Sequence, residues 1–210
     1  KPQPVIPRRH IWEVQERLNY QGEVLTPLDR DSIVQAAEEM KAAGVKAVGI
    51  CFLHSYANNS HEKQAAELIR EIAPEILVSI SSDVSPIYRE YERASTTSLN
   101  AYVMPIVSAY VKRLSQGLSD RGFTRKLFIM QSNGGVATPE VVQQFPIRII
   151  ESGPAAGVLT AAQYSEVAGN SNLISFDMGG TTAKVCLVEE GRPALTGQFE
   201  VDMVQLKKNS

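Results

Sequence analysis

The residues best placed to do chemistry are Asp177, Gly179, Gly180, Thr181 and Thr182, which cluster at the end of the apolar run 173–176. A strand that ends in a carboxylate delivers that group to a loop, where it can hold magnesium directly or through water. The two glycines permit a sharp turn and a close approach of backbone N–H groups to phosphate oxygens, while the threonines add hydroxyl donors. The chain resumes as an apolar run over 185–188, turns at Glu190-Gly191-Arg192-Pro193 and continues over 194–201, so the motif is expected at the tip of a β-hairpin. A Walker loop would instead run from strand into helix and carry Gly-Lys-Ser/Thr, which is lacking here. Gly-Gly alone also makes a plain tight turn; the acid before it and the hydroxyls after it favour a nucleotide phosphate. Asp177 is therefore the candidate metal ligand and catalytic group. Gly179, Gly180, Thr181 and Thr182 are the candidate cofactor-binding residues.

Two further loops carry candidate binding residues. Ser132-Asn133-Gly134-Gly135 follows the apolar run 127–130, at the strand end where open α/β sheets place ligands. Asn133, Gly134 and Gly135 read either as cofactor-binding residues or as an Asn-Gly turn with no ligand. Ser152-Gly153-Pro154 opens an alanine-rich helix, whose N-terminus could face an anion. Ser152 and Gly153 are candidates on that ground, with Ser152 as a simple N-cap the alternative. Arg89, Glu90, Glu92 and Arg93 read as a solvated helix face with pairs three or four residues apart, and Tyr88, Tyr91 and Tyr102 as packing residues. Cys51 and Cys186 read as buried free thiols, and His10, His54 and His61 have no ligand spacing, so no structural zinc is expected.

These segments, in this order, resemble one family. The run through Thr182 is similar to the phosphate hairpin of the ATPase superfamily of actin, sugar kinases and heat-shock chaperones, and more narrowly to that of the hydantoinase A/5-oxoprolinase family. The narrower likeness is carried by Glu92-Arg-Ala-Ser-Thr-Thr97 with Leu99-Asn-Ala-Tyr-Val103, by Ile129-Met-Gln-Ser-Asn-Gly-Gly135, by Glu151-Ser-Gly-Pro-Ala-Ala-Gly-Val158 and by Glu16-Arg-Leu-Asn-Tyr-Gln-Gly-Glu-Val24. One departure is Thr182, Ala183 and Lys184, where many members have Ser/Thr, Thr and Asp. The resemblance implies an internal stretch of a longer enzyme that binds ATP with Mg2+ between two lobes and activates a small cyclic amide by phosphorylation. It also implies a partner subunit of the hydantoinase B type. An ATP-dependent ketone carboxylase subunit and a non-enzymatic ATP switch or scaffold are the alternatives. In family terms residues 1–95 are the end of the N-terminal region and 96–210 the start of the hydantoinase A domain, with a second structural lobe opening near 171.

The elements that must position these residues follow from pattern. Residues 12–25 read as a hairpin turning at Gln21-Gly22. A helix capped by Asp29 or Asp31 carries Ile33, Ala37 and Met40 on one face and ends at Gly44. The run 45–53 reads as a strand buried on both faces, 59–73 as a helix stopped by Pro74, and 76–80 as a strand. A long helix is expected over 85–121, capped by Ser85, opened by Pro86 and broken or kinked at Pro105. Strands over 127–130 and 147–150 flank a short helix near 139–144. The alternation implies an α/β fold, a ribonuclease-H-like ATPase lobe with a mostly parallel sheet, plus the opening β-hairpin of a second lobe.

Composition narrows the class. With 210 residues and 43% hydrophobic content the chain can bury a substantial core, and no apolar run approaches the length needed to span a bilayer. Lys and Arg number 21 against 23 Asp and Glu, a net charge of -2 that leaves no electrostatic footprint for nucleic acid. Two cysteines suit a reducing, cytoplasmic location. One hairpin cannot close around a triphosphate, so the 210-residue chain alone should show little or no ATP hydrolysis. Robust magnesium-dependent phosphate release from it would refute this.

Overall fold

A computed structural model describes residues 6–180, 183–194, 198–201 and 204–207, the last two stretches by their backbone. The chain divides into two compact units, residues 1–110 with 198–209, and Val111–Gly197.

The first unit is built on a βαβ core. The strands β1 (Arg17–Leu18) and β2 (Val24–Thr26) form a short antiparallel hairpin. Its turn passes through Gly22 at φ +84°, where a side chain would also press on Asn58. Helix α1 (Arg30–Ala42) starts at Asp29, whose carboxylate accepts the Asp31 N–H at 3.2 Å. It ends with Gly44 at φ +70° and the Val45 N–H on the Met40 carbonyl, a left-handed cap that glycine adopts without strain. Strands β3 (Ala47–Ile50) and β4 (Leu77–Ile80) pair in parallel, in register from Ala47 with Leu77 to Ile50 with Ile80. The crossover is helix α2 (Ser60–Ile72), entered through Asn58, whose side chain accepts the Ser60 N–H at 3.0 Å. Ile33, Ala37 and Met40 of α1 pack with Ala65, Ala66, Leu68 and Ile69 of α2 and with Ile50, Val78 and Ile80 of the strands. A four-residue helix α3 (Ser81–Val84) follows, and α4 (Glu90–Ser119) begins beyond it.

In the second unit, β5 (Ile129–Met130) and β6 (Val136–Ala137) form an antiparallel hairpin, followed by α5 (Pro139–Gln144) and a 3-10 turn over Pro146–Ile149. Helix α6 (Ser152–Ala168) closes at Gly169, φ +66°, with the Asn170 N–H on the Ser165 carbonyl. It packs on a three-stranded antiparallel meander of β7 (Leu173–Met178), β8 (Ala183–Glu189) and β9 (Arg192–Pro193). The Asn170-Ser171-Asn172 turn, where a second lobe was expected to open, falls within this unit. Strands β10 (Gln198–Val201) and β11 (Val204–Lys207), which group with the first unit, pair antiparallel.

Several expectations are corrected. A mostly parallel sheet is not found: β3–β4 is parallel and every other pairing among the described residues is antiparallel. The connections explain this, because the short link after β5 cannot make the crossover that parallel pairing needs, and the hairpin after β7 was expected. The expected strand at 147–150 is the 3-10 turn, in which Pro146 fixes φ at its start and the Arg148 N–H bonds the Phe145 carbonyl. Ser85 does not open the long helix; it ends α3, its N–H bonded to the Ser81 carbonyl, and α4 starts at Glu90. The helix also continues through Pro105, one lost donor in a ladder of 30 residues. Strand β7 carries an exposed apolar face: Ile174, Phe176 and Met178, with Val185 and Leu187 of β8, are exposed. Cys51 and Cys186 are free thiols, each half-buried.

At Gly49 of β3 an added Cβ would lie 3.4 Å from both the carbonyl oxygen and the Cγ2 of Thr97, so a methyl would just meet α4 and a larger side chain would press on it. Gly49→Val should therefore destabilise the protein by about 1–3 kcal/mol through overpacking, with Gly49→Ala much milder. Thermal unfolding of the two variants checks this. Equal midpoints for Val and the parent would show that no such contact limits the packing.

Candidate functional site

The phosphate-type motif lies, as the sequence implies, on an antiparallel hairpin. Asp177 faces Lys184 and Met178 faces Ala183 across the β7–β8 ladder. Alternation sets Leu173, Ser175 and Asp177 on one face with Lys184, Cys186 and the buried Val188. The opposite face carries the exposed Ile174, Phe176 and Met178. Gly179 and Gly180 follow directly. Neither has a positive φ, and beyond its chain neighbours no atom of the described residues lies within 4 Å of where a Cβ would stand, so their use here is open approach to the backbone. Asp177 is exposed and its carboxylate has no hydrogen bond or ion pair among the described residues. Thr181 and Thr182 lie outside the described residues.

Asn133, Gly134 and Gly135 make the turn of the β5–β6 hairpin. The Asn133 side chain accepts the Gly135 N–H at 3.0 Å, and the Gly134 N–H bonds the Gln131 carbonyl. Gly134 has φ +88°, and a Cβ there would stand 2.9 Å from Cδ1 of Leu159 on α6, so the turn lies flat on that helix. This is the geometry of an Asn-Gly turn.

Ser152 is the first residue of α6 and not its N-cap. Glu151 holds the N-cap position at φ 67° and ψ 19°, without a capping side-chain bond, and Gly153 has open space around it. Glu151 instead forms an ion pair with Lys184 of the hairpin. The Ser132 N–H bonds the Arg148 carbonyl at 2.7 Å, and the Ser132 hydroxyl bonds the Ile150 carbonyl. Ser132 is thus tied to the segment just before Glu151, and Glu151 to Lys184 of the hairpin, within the second unit. A groove of about 830 Å³, lined by Ile174, Leu187, Glu190, Arg192 and Pro193 among others, lies at the other end of the hairpin from Asp177.

In the first unit the structure overturns the reading of one member of the charged patch, Arg93. Arg93 is 0% exposed, its guanidinium donating to the carbonyls of Ile87 at 2.7 Å and Phe52 at 2.8 Å. It also lies over the Tyr56 ring, with 5.7 Å to the centroid. Arg89 and Glu92 do pair at the surface, where the Tyr88 hydroxyl first and then Glu92 raise the Arg89 guanidinium above its ordinary value. Tyr88, Tyr91 and Tyr102, expected to pack, are exposed. Sequence reasoning missed Glu62 entirely. Its carboxylate, 0% exposed, accepts the N–H groups of Phe52 at 3.0 Å and Ser82 at 2.9 Å and the Ser81 hydroxyl at 2.5 Å. It fastens the exits of both parallel strands. The missed signal was a single acid one turn into an otherwise ordinary amphipathic helix. Glu151 and Lys184 were missed as a pair because 33 positions of sequence separate them.

The comparisons with known proteins follow this geometry. The family model described as hydantoinase/oxoprolinase matches residues 93–210, and that of the hydantoinase/oxoprolinase N-terminal region matches residues 2–73. An uncharacterized protein of Methanocaldococcus jannaschii is 42% identical over 96% of this chain and 30% of its own length. The 5-oxoprolinase of Saccharomyces cerevisiae is 36% identical over 80% of this chain and 13% of its own. Other relatives are described as subunits, caprolactamase subunit alpha of Pseudomonas jessenii and the acetone carboxylase beta subunit of Xanthobacter autotrophicus. The crystal structure of the ATP-dependent caprolactamase from Pseudomonas jessenii superposes with TM-score 0.84 at 31% identity, over 98% of this chain and 30% of that one. Nucleotide-free acetone carboxylase gives 0.82 at 28% identity, over 92% and 28%. The chain spans under a third of the length of the curated relatives it matches. It is a mixed α/β chain with small sheets, and no helix among the described residues is long and apolar enough to cross a membrane. By its match over residues 93–210 and by the order of its motifs, the chain belongs to the hydantoinase/oxoprolinase family.

Proposed function

We propose that the protein containing this chain is an ATP-dependent hydrolase of cyclic amides that binds ATP with magnesium at residues 177–182. The observation that carries the reading is the hairpin itself: an unpartnered carboxylate at the end of β7, followed by two glycines whose surroundings are open. The donor set suits magnesium, which keeps several waters and takes one or two carboxylates together with substrate phosphates. A cage of protein ligands is a different arrangement, and no three His, Cys, Asp or Glu side chains come together among the described residues.

Bound ATP would supply a phosphoryl group to the oxygen of a hydantoin-like or 5-oxoproline-like amide, making a resonance-stabilised ring open to water. The chain's own part is to hold and orient. Asp177 would hold the metal side of the triphosphate, and the N–H groups near Gly179 and Gly180 would meet its oxygens, with Thr181 and Thr182 adding hydroxyls. Asn133, Gly134, Gly135, Ser152 and Gly153 would form the neighbouring wall, since the ties described above bring those stretches to the hairpin. In this reading the hairpin opens the second lobe of a ribonuclease-H-like ATPase near residue 171, and a subunit of the hydantoinase B type completes the enzyme. The subunit descriptions of the relatives support a partner.

The likeness to acetone carboxylase favours a second reading, an ATP-dependent carboxylase subunit acting on a ketone. Product analysis on the full-length protein with its partner separates them: a ring-opened acid marks the hydrolase, and bicarbonate-dependent carboxylation marks the other. ATP turnover with no substrate-dependent product would mark a nucleotide switch instead. Under either enzymatic reading Asp177→Ala should lower ATP-coupled turnover by at least about a hundredfold and leave the circular dichroism spectrum unchanged. Normal kinetics in that variant would sink the assignment of Asp177.

A further inference from the structure

Lys184 stands directly across the ladder from Asp177, on the same face of the hairpin, at the separation where opposite charges on paired strands attract. Its ammonium nevertheless pairs with Glu151, at the start of α6. One ammonium thus has two carboxylates to choose from, and it takes the one outside the hairpin. Among the described residues the Glu151 carboxylate makes no other hydrogen bond or ion pair. The residue occupies the left-handed region at φ 67°, uncommon for a residue with a Cβ, and its side chain does not cap the helix it precedes. Both partners are partly exposed, 36% for the Lys184 side chain and 32% for that of Glu151, so the pair is open to exchange.

We infer that Glu151 is a positioning residue that holds Lys184 off Asp177 and so keeps the Asp177 carboxylate open to magnesium-bound nucleotide. The inference rests on the reading of Asp177 given above. An ammonium seated on Asp177 would occupy its lone pairs and repel an incoming divalent cation. With Glu151 present, the lysine charge is offset at a distance from the metal side. Without it, the nearest carboxylate across the strand is Asp177. A Lys at this position then serves to fasten the hairpin to α6, and the acid at 151 makes that fastening compatible with the metal.

The test is magnesium titration of fluorescent ATP-analogue binding by the full-length protein at low ionic strength. Glu151→Gln should raise the half-saturating magnesium concentration roughly three- to tenfold. Adding Lys184→Met to that variant should return it to within about twofold of the parent. Glu151→Asp, which keeps the charge, should stay near the parent and guards against a folding artefact. A merely structural role for the ion pair predicts the reverse, with the double variant no better than the single one. That result would overturn the inference, as would an unshifted titration in Glu151→Gln. Asp177→Asn separates the two layers. If it abolishes the magnesium dependence while Glu151→Gln shifts nothing, the positioning role alone fails. If Asp177→Asn leaves the dependence intact, the reading of the hairpin fails with it.

Discussion

Backbone N–H and C=O groups must find partners wherever water is excluded, and this chain has short ladders with which to supply them. Among the described residues its sheets have two or three strands each, and several strands are two residues long. The loops that leave those strands are therefore fastened by polar side chains. In the first unit Glu62 takes the N–H groups of Phe52 and Ser82, one from the exit of each parallel strand, and Arg93 takes the carbonyls of Phe52 and Ile87. In the second, Ser132 takes the carbonyls of Arg148 and Ile150. Both solutions place an ordered loop at a strand end, where a ligand would be met.

The fasteners are also where the fold departs from what a single sequence discloses. Helices α1 and α2 were legible because their signals are local: Asp29 before the first turn, Gly44 after the last, Pro74 beyond α2, and apolar residues at helical spacing between. The β7–β8 hairpin was legible for the same reason, since Gly179-Gly180 interrupts two apolar runs of strand length. Glu62 and Arg93 were not. Each is a charged residue on a helix, and local pattern counts such residues as solvated, pairing them with neighbours three or four positions away. Their actual partners lie up to 41 positions off. A buried charge held by backbone carbonyls and N–H groups leaves no periodic trace.

The sheet types were misread on similar grounds. The continuous apolar run at 127–130 suggests a strand covered on both faces, as in parallel sheets, whereas a hairpin was expected after 173–176. The link that follows the first run is too short for a crossover, so a hairpin forms there as it does at β7–β8, where Ile174, Phe176, Met178, Val185 and Leu187 are left exposed. Run length alone could not have settled this. Link length could, and it was available in the sequence.

That two-faced hairpin makes its register decisive for the site. Side chains alternate with period 2, so a slip of one residue would move Asp177 and Lys184 to the face that carries Ile174, Phe176 and Met178. Three contacts oppose it. At the turn end, the Asn172 side chain accepts the Glu190 N–H at 2.9 Å and the Gly191 N–H bonds the Ser171 carbonyl at 2.8 Å, which set the β8–β9 turn against the start of β7. At that same end Val188, paired with Leu173, is buried, and a slip would replace it with a charged or exposed neighbour. At the tip end, Lys184 reaches Glu151 only from the face it now occupies. The hairpin is pinned at both ends of its ladder, and what lies beyond the second pin is the glycine turn. Gly179 and Gly180, with no close neighbour among the described residues and carried on a pinned ladder, can present their N–H groups and Asp177 in a fixed direction while leaving room for a bulky anion.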